Sequence, residues 1–290
     1  MKTVLDAGIL GLIVLAMLSV GLELELRYFK QLARHSFALT SMLLMQIVLL
    51  PAAALVISYA LHLSPMLRSG ILLIAACPVG EMANFFTLLG EGNVAISVAM
   101  NTISCLISPI SMAMIFAGYS HVLATPFAFS APGWGLVLRL FLLIAVPMVA
   151  GIVLRYTRMP KIELISASVR FVCLLGILAL SVYVMASRFD QLERDWKFAV
   201  TASAPLALAA MTMGWAASGF LKMPRADRLA FLISFAVRNV GLASAIAITM
   251  MNRIEYAVFA MVYFLSEIVL VLAAVFAFRL WAAKPRERVL

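Results

Sequence analysis

The sequence predicts an all-α integral membrane protein with nine transmembrane helices, from its apolar content, the length of its apolar runs and the position of its charges between them. Of 290 residues, 65% are hydrophobic and 12% charged, about half the charged fraction of a water-soluble domain. A helix needs roughly 20 apolar residues to cross ~30 Å of hydrocarbon. The chain therefore has room for about nine or ten crossings with short loops, and none for a sizeable soluble domain. The net charge of +9 does not mark a nucleic-acid binder, because the basic residues lie in the gaps between apolar runs and not on one solvated face among aromatics.

The first run, Val4 to Leu24, follows Lys2 as a signal peptide would, but it is long and no small-x-small site closes it, so it reads as the first membrane helix. After the basic break at Arg27, Lys30 and Arg34 come Ala38 to Leu61, then Ser69 to Leu89 beyond Arg68, then Asn93 to Gly118 beyond the turn at Gly90. Gly135 to Leu154 ends at Arg155, Arg158 and Lys161, and Ser166 to Ala186 ends at a charged stretch holding Arg188, Asp190, Glu193, Arg194, Asp195 and Lys197. Phe198 to Phe220, Leu229 to Met251 and Tyr256 to Arg279 complete the series, separated by Lys222 to Arg228 and by Arg253 and Glu255. Each is an apolar run bounded by a short polar break. Cys77, Cys105 and Cys173 lie within such runs without metal or disulfide spacing and read as small core residues; the 18 methionines read as adaptable packing.

Cytoplasmic loops hold the excess of Lys and Arg. Alternate loops here carry thirteen against six, which puts the amino terminus outside and the carboxyl terminus in the cytoplasm. Of the three arginines inside spans, Arg139 and Arg170 lie near span ends and are expected to snorkel to headgroups. With the fifth helix standing alone, helices one to four match helices six to nine as an inverted repeat, a plan common among membrane proteins with a central site.

Two segments interrupt the apolar pattern, each in the third helix of its half. The first runs Ala76-Cys77-Pro78-Val79-Gly80-Glu81-Met82-Ala83-Asn84 near mid-membrane. Pro78 cannot donate to the carbonyl of Ile74, so the helix is weakened there. Non-helical backbone at this depth needs protein or a watery cavity to satisfy it, and a charged side chain at the bilayer centre costs ~2.5 to 3.5 kcal/mol on insertion scales. A cavity is therefore expected beside Glu81. The second segment is Ser234-Phe235-Ala236-Val237-Arg238-Asn239-Val240-Gly241, where any break is expected from Asn239 and Gly241. Arg238 needs an acidic partner; Glu81 and Glu267 are the acids deep in spans, and an Arg238 to Glu81 pair is expected. A buried pair that only fastens two helices is the plainer alternative, and it too would sit at the cavity.

An intramembrane enzyme does not fit. His35, His62 and His121 fall in loops or at span ends, and Asp6, Asp190, Asp195 and Asp227 avoid the middle of spans, so neither a serine-histidine nor an aspartyl dyad forms at depth. A passive channel or scaffold remains a rival from another class.

The run CPVGEMANFFTLLGEGNVAISVAMNTISCLISP, Cys77 to Pro109, resembles two successive helices of the bile acid:sodium symporter family. FLISFAVRNVGLASAIA is similar to that family's second crossing helix, and Gln46 followed by Pro51 matches the preceding one. The likeness extends over nearly the whole chain, which on this alignment lacks the first of ten helices found in some bacterial members. The resemblance implies an alternating-access transporter in a bacterial inner membrane. Its panel domain would hold helices 4–24, 135–154 and 166–186, and its core 38–61, 69–89, 93–118, 198–220, 229–251 and 256–279, with two broken helices crossing in the core.

Carried over by position, Asn84 and Ser97 match ligands of the family's first sodium site and Gln46 one of the second. Ala83 stands where the family has serine, Asn101 where it has threonine, Ser234 where it has the acid shared by both sites, and Arg238 where it has glutamine. A guanidinium in the second site would repel sodium. The options are three: Arg238 replaces the second sodium, Glu81 supplies the charge lost at Ser234, or Glu81 or Glu267 takes up a proton. No other cofactor is implied. The substrate implied is a bile-acid-like or small organic anion, with Glu81, Asn239 and Glu267 as its contacts. Sodium-coupled uptake and sodium-independent or proton-coupled uptake both stay open.

Overall fold

A computed structural model describes residues 2–23, 36–123, 134–157, 161–187 and 189–283. Leu24, Arg27, Lys30, Arg34, His35, Arg158, Arg188, Lys284, Arg286 and Arg288, on several of which the charge count rests, lie outside the described residues, as do the side chains of Lys2, Asp6, Arg194 and Asp195. The elements are α1 (Lys2–Glu23), α2 (Ser36–Ala60), α3 (Pro65–Ala76), α4 (Met82–Leu89), α5 (Val94–Leu123), α6 (Trp134–Leu140), α7 (Val146–Tyr156), α8 (Ile162–Ser187), α9 (Phe189–Phe220), α10 (Arg225–Ala236), α11 (Val240–Ala245) and α12 (Ile254–Ala283). Among the described residues no strand forms, and six helices are long and apolar enough to cross a membrane, with shorter apolar helices at Ala7–Glu23, Pro65–Ala76 and Val240–Met250.

A π turn, Phe141–Ala145, joins α6 to α7. Pro147 follows it, cannot donate to the carbonyl of Leu143, and lets the turn ahead of it widen. A second π turn, Ile246–Met250, extends α11.

The repeat is visible in the element bounds. Adding 160 to the bounds of α3 (65 and 76) gives those of α10 (225 and 236), and adding it to those of α5 (94 and 123) gives those of α12 (254 and 283). The starts of α1 and α8, residues 2 and 162, keep the same offset. Even the turn before each short helix is copied: His62 and Lys222 both take positive φ, 48° and 54°. In those turns Leu63 N donates to Ser58 O as Met223 N donates to Ser218 O.

Both third helices break. α3 ends where Cys77 N–H is shared between the carbonyls of Leu73 and Ile74, and Pro78 takes the chain into extended backbone. α10 ends at Val237, also extended. The two extended stretches meet antiparallel at Val79 and Arg238, with Gly80 N donating to Val237 O and Asn239 N to Pro78 O, each at 3.0 Å. Gly80 permits this approach, since a Cβ there would overlap the Arg238 carbonyl. Side chains satisfy the remaining backbone groups. Ser104 Oγ accepts from Val79 N at 3.1 Å, Tyr263 Oη donates to Ala236 O at 2.6 Å, and Gln46 Nε2 donates to Ser234 O at 3.0 Å. The second break precedes Gly241, which lies inside α11. Asn239 closes it by capping α11, its Oδ1 accepting from Leu242 N.

α1 packs on α7 through glycine. A Cβ on Gly151 would overlap the Leu18 carbonyl and one on Gly21 the Met148 carbonyl, the close backbone approach that small residues allow between membrane helices. Gly151→Ala should therefore lower the thermal midpoint in detergent, by an overpacking cost of ~1–3 kcal/mol. Gly118→Ala, where a Cβ meets nothing within 4 Å, should not lower it; intrinsic fluorescence on heating compares the two.

Candidate functional site

A cavity of about 270 Å³ opens beside the crossing, lined from α1 by Glu23, from the first break and α4 by Gly80, Glu81, Met82, Asn84 and Phe85, and from α8 by Arg170, Leu174 and Ile177. The second break and α11 add Arg238, Asn239, Val240 and Gly241, and α12 adds Phe264 and Glu267. The residues expected to touch substrate, Glu81, Asn239 and Glu267, are thus brought together, with Asn84 beside them.

Glu23 and Arg170 were not foreseen. Arg170 Nη1 meets Glu23 Oε1 at 3.2 Å, and Asn84 Nδ2 donates to Glu23 Oε2 at 2.7 Å. Ser97 Oγ in turn donates to Asn84 Oδ1 at 2.9 Å. A polar chain thus runs from α8 through α1 to α4 and α5. Arg170, expected to snorkel, is paired through this chain with a carboxylate on the neighbouring helix, its side chain 57% exposed. The signal in the sequence was Glu23 itself, an acid in the last turn of an otherwise apolar helix.

Arg238 and Glu81 do not pair. The Arg238 residue is 4% exposed, and its backbone N–H donates to Glu267 Oε2 at 3.1 Å. Its guanidinium points the other way, donating through Nη2 to Ala75 O at 3.4 Å with Nε and Nη1 unpartnered. There it lines a second, small cavity with Gln46, Ala76, Cys77, Pro78, Ser104 and Ser111. The backbone pairing at the crossing decides this. With Arg238 opposite Val79, its side chain falls at the carboxyl end of α3, where carbonyls and the helix dipole favour a cation.

Glu81 is left with Oε1 buried and without a hydrogen-bond partner. The Asn239 amide is fixed by its cap, since Oδ1 accepts from Leu242 N at 2.9 Å, and its Nδ2 is buried and unpartnered. The amino end of α11 is therefore closed by its own cap. Ser234 Oγ is likewise buried without a partner. Asn101 lines neither cavity: its carbonyl accepts from Ser104 Oγ and its Oδ1 from Cys105 Sγ, which supports the first break from behind.

A model of the Sodium Bile acid symporter family matches residues 9–194. The chain is 25% identical over 231 residues to the uncharacterized sodium-dependent transporter YocS of Bacillus subtilis, covering 80% of this chain and 70% of that protein. It is 26% identical over 251 residues to the P3 protein of Mus musculus, covering 85% of this chain and 52% of the mouse protein. Over 239 residues it is 24% identical to the probable sodium/metabolite cotransporter BASS1 of Arabidopsis thaliana chloroplasts, covering 82% and 58%. The chain spans little more than half the length of the mouse and plant relatives.

Glu267 accepts the Arg238 backbone N–H at the crossing. Glu267→Leu should leave that buried N–H without an acceptor and cost ~1–3 kcal/mol. Glu267→Gln keeps the acceptor and should cost less; thermal midpoints of the two variants in one detergent test the difference.

Proposed function

The chain belongs to the sodium bile acid symporter family, and from this premise we propose that it is a secondary active transporter of a small organic acid, working by alternating access. The observation that carries the reading is the cavity beside the crossing, which has α1 and α8 on one wall and the two breaks on the other. In this reading α1, α6, α7 and α8 form a panel, and α2 to α5 with α9 to α12 form a core built as an inverted repeat. Nine crossings result once each broken pair is counted as one. Rocking the core against the panel would expose the cavity to either side of a bacterial inner membrane, with the amino terminus outside and the carboxyl terminus in the cytoplasm.

Coupling follows from where cations are tolerated. Asn84 and Ser97 stay next to the cavity with Glu23 close by, so a sodium ion co-transported as a substrate has oxygen donors and negative charge there. Gln46 and Ser234 are different, because the Arg238 guanidinium lies among the α3 carbonyls beside them. This contact favours a second reading, in which Arg238 permanently replaces one sodium ion and coupling falls to a single sodium or to a proton.

Two measurements test this. Proteoliposomes under an inward sodium or proton gradient should accumulate labelled small carboxylates, and leakage without either gradient would make the chain a passive pore. Thermal midpoints titrated with sodium chloride against potassium chloride, at constant ionic strength, should rise with sodium in the wild type, and further in Arg238→Gln. A response confined to Arg238→Gln would mean that the arginine has displaced sodium coupling altogether.

A further inference from the structure

The cavity's unpartnered atoms describe the cargo more closely than its family does. Glu23 has Arg170 and Asn84 as partners, and Glu267 has the Arg238 N–H. Two polar atoms of lining residues are buried without a protein partner: Glu81 Oε1, an acceptor, and Asn239 Nδ2, a donor. Buried polar atoms of this kind cost free energy unless something bonds to them, and a carboxylate at membrane depth needs a positive partner. The Arg238 guanidinium is turned away to Ala75, and that of Arg170, on the same lining, is paired with Glu23.

The rest of the lining is apolar, with Met82, Phe85, Leu174 and Phe264 around these two groups. The volume of about 270 Å³ accommodates a compact molecule. We propose that the transported organic acid is a small zwitterion, its protonated amine on Glu81, its carboxylate on Asn239 Nδ2 and its apolar body against the aromatic and aliphatic wall. This deepens the transporter reading above and rests on it.

The probes are matched sets: leucine with 4-methylpentanoate, which lacks the amine, and 3-methylbutylamine, which lacks the carboxylate, with the same sets built on valine and phenylalanine. Binding is read as the concentration that half-maximally raises the thermal midpoint, and transport as labelled uptake into proteoliposomes. At least one amino acid should act at a tenfold or lower concentration than either of its truncated partners. Glu81→Gln, which removes charge from a group with no protein partner at Oε1, should keep the ligand-free midpoint and erase the preference for amine over 4-methylpentanoate. Asn239→Asp retains the cap acceptor for Leu242, removes the donor and should weaken the carboxylates and not 3-methylbutylamine.

Des-amino acids that bind and are taken up as well as the amino acids would overturn the zwitterion while leaving the transporter reading intact. So would a Glu81→Gln protein that loses only its response to sodium or protons, since Glu81 would then hold an inorganic cation. If no member of any set binds or enters under a gradient, the organic-acid transporter reading fails, and the zwitterion with it.

Discussion

Everything else in this protein depends on two stretches of extended backbone meeting at membrane depth. A chain in lipid has no water to complete its amides and carbonyls, so a broken helix there must be finished by other protein groups. The antiparallel contact between Val79 and Arg238 does part of this, and four side chains from three further helices do the rest: Gln46, Ser104, Tyr263 and Glu267. Gly80 and Pro78 make the geometry possible from opposite directions. Proline removes a donor that the helix could not have used past the break, and glycine removes a Cβ that would strike the facing carbonyl. Because the polar groups are consumed in this mutual pairing, the few left over are conspicuous.

The two halves share a backbone plan but differ in chemistry. At the first break stand Pro78 and Glu81; at the second stand Arg238 and Asn239. The repeat dictates that both breaks occur and that they face each other. It does not dictate the charges, and those are distributed so that the cation serves the partner helix. The guanidinium of the second break lies at the carboxyl end of α3, where the dipole is negative, and not at Glu81, which the sequence made its obvious mate. Opposite charge alone was a poor guide, because direction along an antiparallel backbone contact settles which side chains meet.

The all-helical class was legible from the sequence for a simple reason: apolar runs of membrane length separated by basic breaks leave few alternatives. The break at Pro78 was equally plain, since proline's missing N–H acts locally. The second break, expected from Asn239 and Gly241 together, falls at Asn239 and not at Gly241, because a capping asparagine without proline resembles an ordinary polar residue until its Oδ1 is seen to bond Leu242 N. Glu81, Asn84, Asn239 and Glu267 were all expected near one cavity and do line it. Glu23 and Arg170 were out of reach, because each lies toward a span end where a charged side chain can run to headgroups. Only the packing of α1 against α8 turns them toward each other at the cavity.

That placement sets how the two walls of the cavity communicate. Glu23 belongs to one wall and Asn84 to the other, and the 2.7 Å hydrogen bond between them is charge-assisted, roughly twice as strong as a neutral one. Relative movement of the walls must exchange it for something of similar strength or pay its loss at low dielectric. A ligand or ion that takes over the Asn84 amide, or offers Glu23 another partner, lowers that barrier; an empty cavity does not. In the transporter proposed above, cargo and co-ion would thus bear on the same hydrogen bond between the walls, which is the energetic requirement for a carrier that moves when loaded and resists moving when only partly loaded.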